Sequence, residues 1–376
     1  MDQANILIIG GGVVGCAIAH AVSSRWQDVF LVEQNPKVGM ATSTRNSGVN
    51  HSGIYYPKNS LKARLCVEGN QLIYEFCAKH HVPFRHCGKL VVAAEAHEEA
   101  ELHALKKRGE ENGVDGLRLV GSDDIRKREP HIKGVAALDV PSTGIVSAEE
   151  LVHAFARLAA NQGANIVTHA QVVSLEPTGN TIRVGLRIGD EEDSQEERIE
   201  ARCVINAAGL YADEVAALLG NHSWKIYPVR GEYCEVRGSR ASLINNLVYP
   251  LPHADGISLG VHFTKTLWGT FLLGPTATYV EGKDNYERNR LPIAAFAESA
   301  KTLLPEIEAS DLQLGYTGLR PKLAPPSHKG GIVDFVITRD PNVPQAIHLV
   351  GIESPGLTAA PAIANHVARM AMDVLA

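Results

Sequence analysis

Along residues 5–34 the hydrophobic and polar positions change pattern three times. Ile6, Leu7, Ile8 and Ile9 form an unbroken apolar run of strand length, and small and apolar residues follow from Val13 in a helix-like segment. A second apolar run, Val29 to Val32, ends in Glu33. Strand, turn, helix, strand is the pattern of a parallel βαβ unit. Leu61, Leu65, Leu72, Ile73 and Phe76 then predict a helix over 61–80 with one buried face. Residues 84–94 predict a strand and 95–111 a charged surface helix. Ser147 and Glu150 stand at capping-box spacing and open a helix that runs to Ala160 and stops at Gly163. Residues 166–175 and 181–188 predict a hairpin around Thr178, Gly179 and Asn180. Residues 203–209 read as a buried strand entering a small-residue turn, with a helix over 210–219.

The periodicity changes at Ile226. Short strands over 226–236, 247–251, 257–264 and 270–273, with turn signals at Asp255-Gly256 and Trp268-Gly269, predict an antiparallel meander without crossover helices. A helix over 291–304 and a strand over 330–338 follow. Residues 346–352 return to the parallel pattern, with a turn over 353–358 and an amphipathic helix to Leu375 that tolerates Pro361 in its first turn. The last residues thus complete the sheet begun by the first. The fold class expected is α/β. A discontinuous Rossmann-like domain covers 1–80, 145–225 and 324–376, and a mostly antiparallel β domain with flanking helices covers 81–144 and 226–323.

The turn after the first strand carries specific chemistry. Gly10 permits the tight turn, Gly12 lets the backbone approach a pyrophosphate, and Gly15 lets the helix lie against the sheet. Gly11, Val13 and Val14 complete a cofactor-binding turn whose helix N-terminus favours phosphate. Glu33 stands 18 positions after Gly15, where a carboxylate meets ribose hydroxyls, and its charge argues against NADP.

Composition adds mainly exclusions. The chain has 376 residues, 45% hydrophobic and 21% charged, which is enough for two globular domains. A net charge of −6 offers nothing to nucleic acid or anionic lipid. No apolar run reaches the ~20 residues of a membrane span, and no basic region precedes the first apolar run, so no secretory signal is expected. The six cysteines lack CxxC spacing and read as reduced and cytoplasmic, and the sixteen histidines show no metal-ligand pattern, so no metal is expected. The run 190–200 reads as a solvated acidic loop.

One dinucleotide motif, a large second domain and a second glycine turn near residue 356 together suit a flavin enzyme. The ADP half would lie on the first turn, and the last helix would point its N-terminus at the flavin pyrimidine. The motifs RNSGVNHSGIYY (45–56), SLKARLCVEGN (60–70), PVRGEYCE (228–235), GVHFT (260–264), GLRPKL (318–323) and VGIESPGLTAAPAI (350–363) make the resemblance specific. The chain resembles the D-amino-acid-oxidase (DAO) superfamily of FAD-dependent oxidoreductases, and within it the L-2-hydroxyglutarate dehydrogenase/oxidase family. The resemblance implies a glutathione-reductase-type FAD domain with non-covalent FAD. Contacts are implied at Gly10 to Gly15, Glu33, Gln34, Thr42, Ser43, Asn46, Ser47, Gly48, Val49, Val173, Ala207, Ala208, Gly209, Gly318, Arg320, Gly351, Glu353, Ser354, Pro355, Gly356, Leu357 and Thr358.

Oxidising a 2-hydroxy acid requires a base for the hydroxyl proton and cations for carboxylate. Histidine suits the base near neutral pH, with His51 first and His262 second. Arg320 is the favoured carboxylate ligand, and Lys322, Arg230 and Lys62 are weaker ones. Tyr55, Tyr56 and Tyr233 are candidate donors to substrate oxygens. The expected substrate is a small hydroxy acid, most readily L-2-hydroxyglutarate, with oxygen or a quinone as electron acceptor and peripheral membrane contact left open. Three alternatives stay open: an amine or amino-acid oxidase of the glycine or sarcosine oxidase type, a glycerol-3-phosphate dehydrogenase, and a non-catalytic FAD-binding module.

Overall fold

The computed structural model describes residues 2–190, 193–252 and 261–376. Residues of two large sheets line one cavity. In the first, the strands Asn165–Thr168, Val29–Glu33, Asp2–Ile9 and Gln195–Asn206 lie side by side in parallel. The far edge of Gln195–Asn206 is divided. Its first half pairs antiparallel with Thr181–Ile188, and residues 204–206 pair parallel with Ala346–Val350. Residues from both ends of the chain thus share one sheet.

Strand periodicity assigns the two faces. Ile6 and Ile8 join the core formed by the helices Val13–Ser23, Leu61–His80, Ala148–Asn161 and Gly356–Leu375. Leu7 and Ile9 point the other way, toward Leu175, Val184 and Val215. Local chemistry sets the helix ends. Ser60 Oγ accepts from the Ala63 N–H, and His81 ends that helix in the left-handed region at φ 59°. Ser147 Oγ accepts from the Glu150 N–H. A Cβ at Gly69 would lie 2.2 Å from the Thr358 carbonyl oxygen, so glycine allows the second and last helices to touch.

The second sheet keeps the expected antiparallel meander over Leu247–Pro250, Phe263–Lys265 and Phe271–Leu273 and departs from it in its other pairings. Its backbone is the pairing of Tyr227–Val236 with Leu312–Lys322, far apart in sequence, and Leu247–Pro250 runs parallel to Lys89–Ala93. Short strands carry no signal of which distant strand they will pair with. The strand expected over 84–94 is broken by Gly88 at φ +71°. Phe84–Arg85 joins a small sheet with Val49–Asn50 and Gly144–Val146, while Lys89–Ala93 enters the large one. The expected helix over 291–304 is regular only over Ile293–Ala300, and the strand over 330–338 only over Val336–Arg339. The Asp255-Gly256 turn and residues 257–260 of the expected strand over 257–264 lie outside the described residues, and Phe263–Lys265 is strand.

Candidate active site

The carboxyl ends of four neighbouring strands converge on a cavity of about 640 Å3. Val29–Glu33 ends in Glu33 and Gln34, Asp2–Ile9 in the Gly10 turn, Gln195–Asn206 in Ala207 to Gly209, and Ala346–Val350 in Ile352 to Leu357. Carboxyl ends of parallel strands are where open α/β sheets bind ligands. Gly10 sits at φ +110°, and a Cβ there would lie 2.5 Å from the Ala207 carbonyl oxygen. A Cβ on Gly15 would lie 1.9 Å from the Gly10 carbonyl oxygen, so helix and turn are in backbone contact. Ser43 Oγ accepts from the Val13 N–H at 2.8 Å. Glu33 accepts from the N–H groups of Gly11 and Asn35 at 2.7 and 2.8 Å.

The loop 42–49 forms a second wall. Asn46 donates to the carbonyls of Thr42 and Ser43 and accepts from the Gly48 N–H, which locks the loop. Thr42 Oγ1 donates to the Leu319 carbonyl and ties the loop to the second sheet. A Cβ at Gly318 would meet the Arg45 carbonyl oxygen at 2.0 Å. Val173 reaches the cavity because the strand Ala170–Thr178 is irregular between Val172 and Ser174.

Polar chemistry collects where the two sheets meet. His51 lines the cavity with Nε2 3.4 Å from Ser354 Oγ, and its Nδ1 is buried without a hydrogen-bond partner among the described residues. Burial first, and the Lys89 charge second, push the His51 imidazole down to about 3, so it is neutral at physiological pH. The backbone N–H of His51 donates to Thr358 Oγ1 at 2.8 Å, which pins the residue to the last helix. His262 stacks on Tyr249 with ring centroids 3.5 Å apart. Arg320 donates to the Thr276 carbonyl at 3.0 Å and packs over Gly231, where a Cβ would lie 2.9 Å from its guanidinium. Glu353 binds Lys62 at 2.9 Å and Lys322 at 3.4 Å. Burial alone would raise the Glu353 carboxyl, but the two lysines outweigh it and hold it below the usual range.

The model of the family described as "DAO: FAD dependent oxidoreductase" matches residues 5–370. The chain belongs to this family. It is 34% identical to the mitochondrial L-2-hydroxyglutarate dehydrogenase of Mus musculus, covering 96% of this chain and 87% of that protein. It is 32% identical to the L-2-hydroxyglutarate dehydrogenase of Indibacter alkaliphilus over 98% of both. Among solved structures, the FAD-bound L-alpha-glycerophosphate oxidase of Mycoplasma pneumoniae superposes with a TM-score of 0.87 at 28% identity, covering 100% of this chain and 95% of that one.

This DAO-family protein is therefore an FAD-dependent oxidoreductase with the expected α/β architecture. Its own residues fit the cofactor. The glycine cradle leaves backbone room for a pyrophosphate, and the cavity runs unbroken from Glu33 and Gln34 to Arg320 and His262.

Most of the expected cofactor contacts line the cavity, including Gly10, Gly12, Val13, Val14, Thr42, Ser47, Val49 and Gly356, as do the candidate substrate donors Tyr55, Tyr56 and Tyr233. Others do not. Gly11, Gly15, Gly48 and Gly351 shape turns behind the wall, and the Thr358 hydroxyl is taken up by His51 and Val49. Arg230 is a correction. It is 1% exposed and donates to Glu232, Asn285 and the Asn289 carbonyl. Strand alternation explains this: Gly231 and Tyr233 face the cavity, so Arg230 and Glu232 face away. Lys62 and Lys322 line the cavity but are committed to Glu353. Sequence reasoning missed Tyr249, Arg45 and Lys89. For Lys89 the signal was a lysine inside the apolar run 89–94.

Proposed function

We infer that this enzyme oxidises the C2 hydroxyl of an L-2-hydroxy acid, L-2-hydroxyglutarate in the first instance, to the 2-oxo acid. The observation that carries this reading is a neutral cavity-lining histidine, His51, in a cavity that also presents the Arg320 guanidinium. Arg320 would grip a carboxylate in its planar fork and so fix C2. His51 Nε2, released from Ser354, would take the hydroxyl proton, with Tyr233 and Tyr56 as candidate donors to substrate oxygens. FAD, when bound, supplies the hydride acceptor. The Thr358 and Ser354 contacts hold His51 in place, and the buried Tyr55 and Tyr56 exclude water.

The names of the relatives support the same substrate, and a hydroxy acid needs the base that an amine does not. Non-covalent attachment of FAD, oxygen or a quinone as electron acceptor, and a cytoplasmic location with peripheral membrane contact belong to this reading. No helix among the described residues is long and apolar enough to cross a membrane.

The test is the visible spectrum of the purified holoenzyme under anaerobic conditions. Bleaching on addition of L-2-hydroxyglutarate is expected. Bleaching with glycine or glycerol 3-phosphate instead would overturn the substrate. Hydrogen peroxide formed on readmitting air distinguishes oxygen from a quinone as acceptor.

A further inference from the structure

Lys89 is a lysine in the wrong place for structure alone. It opens the strand Lys89–Ala93, every residue of which is buried, and is itself 1% exposed. Leu90 and Val92 point to the core beneath Phe296, whereas Val91 and Ala93 share the opposite face with Tyr55 and Tyr249. Lys89 follows that second face. Its Nζ lies 3.3 Å from Tyr55 Oη and 4.6 Å from the centroids of both tyrosine rings. Among the described residues it forms no ion pair with a carboxylate.

A buried ammonium without a counter-ion is costly, and two aromatic faces offset part of that cost. Burial pushes the amine down to about 7. The two tyrosines that hold it are themselves cavity wall, and Tyr249 carries His262 on its face. Because Tyr55 Oη accepts from Lys89, its own O–H proton is free to donate elsewhere. Below about pH 7 positive charge is thus delivered to the cavity through a low-dielectric wall, on a different strand from Arg320.

We propose that Lys89 is a positioning residue that acts through Tyr55 to select substrates carrying a second carboxylate. Arg320 would take one carboxylate and the Lys89–Tyr55 pair the other. This rests on the reading above, whose first substrate is already a dicarboxylate, and adds the residues that hold its second carboxylate.

The test uses the FAD holoenzyme with glutarate and pentanoate, two unreactive acids that differ by one carboxylate, read by perturbation of the flavin spectrum. The native enzyme is expected to bind glutarate more tightly. Lys89→Met should weaken glutarate by about tenfold or more while changing pentanoate less than about twofold. Lys89→Arg should recover part of the preference, and Tyr55→Phe should lose it in the same direction. Ligand-free Lys89→Met should melt no lower than the native protein, since a buried unpaired charge has been removed. Equal weakening of both acids, or unchanged glutarate binding, would overturn the proposal. If Lys89→Met fails to retain FAD, Tyr55→Phe decides by the same two ratios. A Lys89-dependent glutarate preference without bleaching by L-2-hydroxyglutarate would sink the reaction but keep this inference. Bleaching with no Lys89 dependence would do the reverse.

Discussion

Lys62 Nζ and Glu353 Oε1 lie 2.9 Å apart, although 291 residues separate them in sequence. The pair joins the second helix to the terminal turn at the cavity wall, and both side chains are largely buried. Glu353→Gln would leave Lys62 buried without its carboxylate, a change that typically costs about 3–5 kcal/mol. The holoenzyme should therefore melt several degrees lower. Adding Lys62→Met should recover part of the loss, and a double-mutant cycle on the unfolding midpoints measures the coupling.

Gly15→Ala should strip the protein of flavin. Its Cβ would stand 1.9 Å from the Gly10 carbonyl oxygen, and Gly10, at φ +110°, cannot yield without moving toward Ala207. Overpacking of this kind costs about 1–3 kcal/mol in stability. The decisive measurement is the flavin-to-protein absorbance ratio, which should fall while the chain still folds.

His51 predicts an unusual pH profile. Because burial and Lys89 push it down to about 3, the imidazole proposed as base stays unprotonated well below the ordinary value. The acid limb of kcat/KM should not appear near pH 6.5, and an inflection there would show that another group is the base. The sign for stability is separate. The unfolded chain binds this proton at 6.5 and the folded chain only near 3, so this contribution is complete above 6.5 and declines as pH falls below it. Replacing His51 with Asn should lower kcat by about 10²–10⁴-fold.

The two arginines should separate function from stability. Arg320→Met should raise KM for the hydroxy acid strongly, with Arg320→Lys intermediate, because a lysine lacks the bidentate fork. Arg230→Met should leave KM nearly unchanged in whatever protein folds. It should lower the melting temperature instead, since Glu232 would lose a buried partner at 2.9 Å.

The legible parts of this protein were those encoded locally. Glycines three residues apart after an apolar run announce a phosphate turn because only backbone can come that close, and Gly10 and Gly15 show contacts that no side chain would permit. Helix periodicity announced Leu61–His80, and motif content announced the family. What local pattern did not carry was pairing. Nothing near residue 227 indicates that Tyr227–Val236 must lie against Leu312–Lys322, or that Lys89–Ala93 runs beside Leu247–Pro250.

Those pairings decided which charges matter. Arg230 and Arg320 look alike in sequence, yet one faces a carboxylate inside the domain and the other the cavity. Lys62 and Lys322 became partners of Glu353, and Lys89 was left between two rings. By itself the sequence determined the cofactor and the fold class. Which side chains face the cavity was decided by tertiary structure alone. A strand offers its residues to two sides in turn, and only its neighbours settle which side is the site.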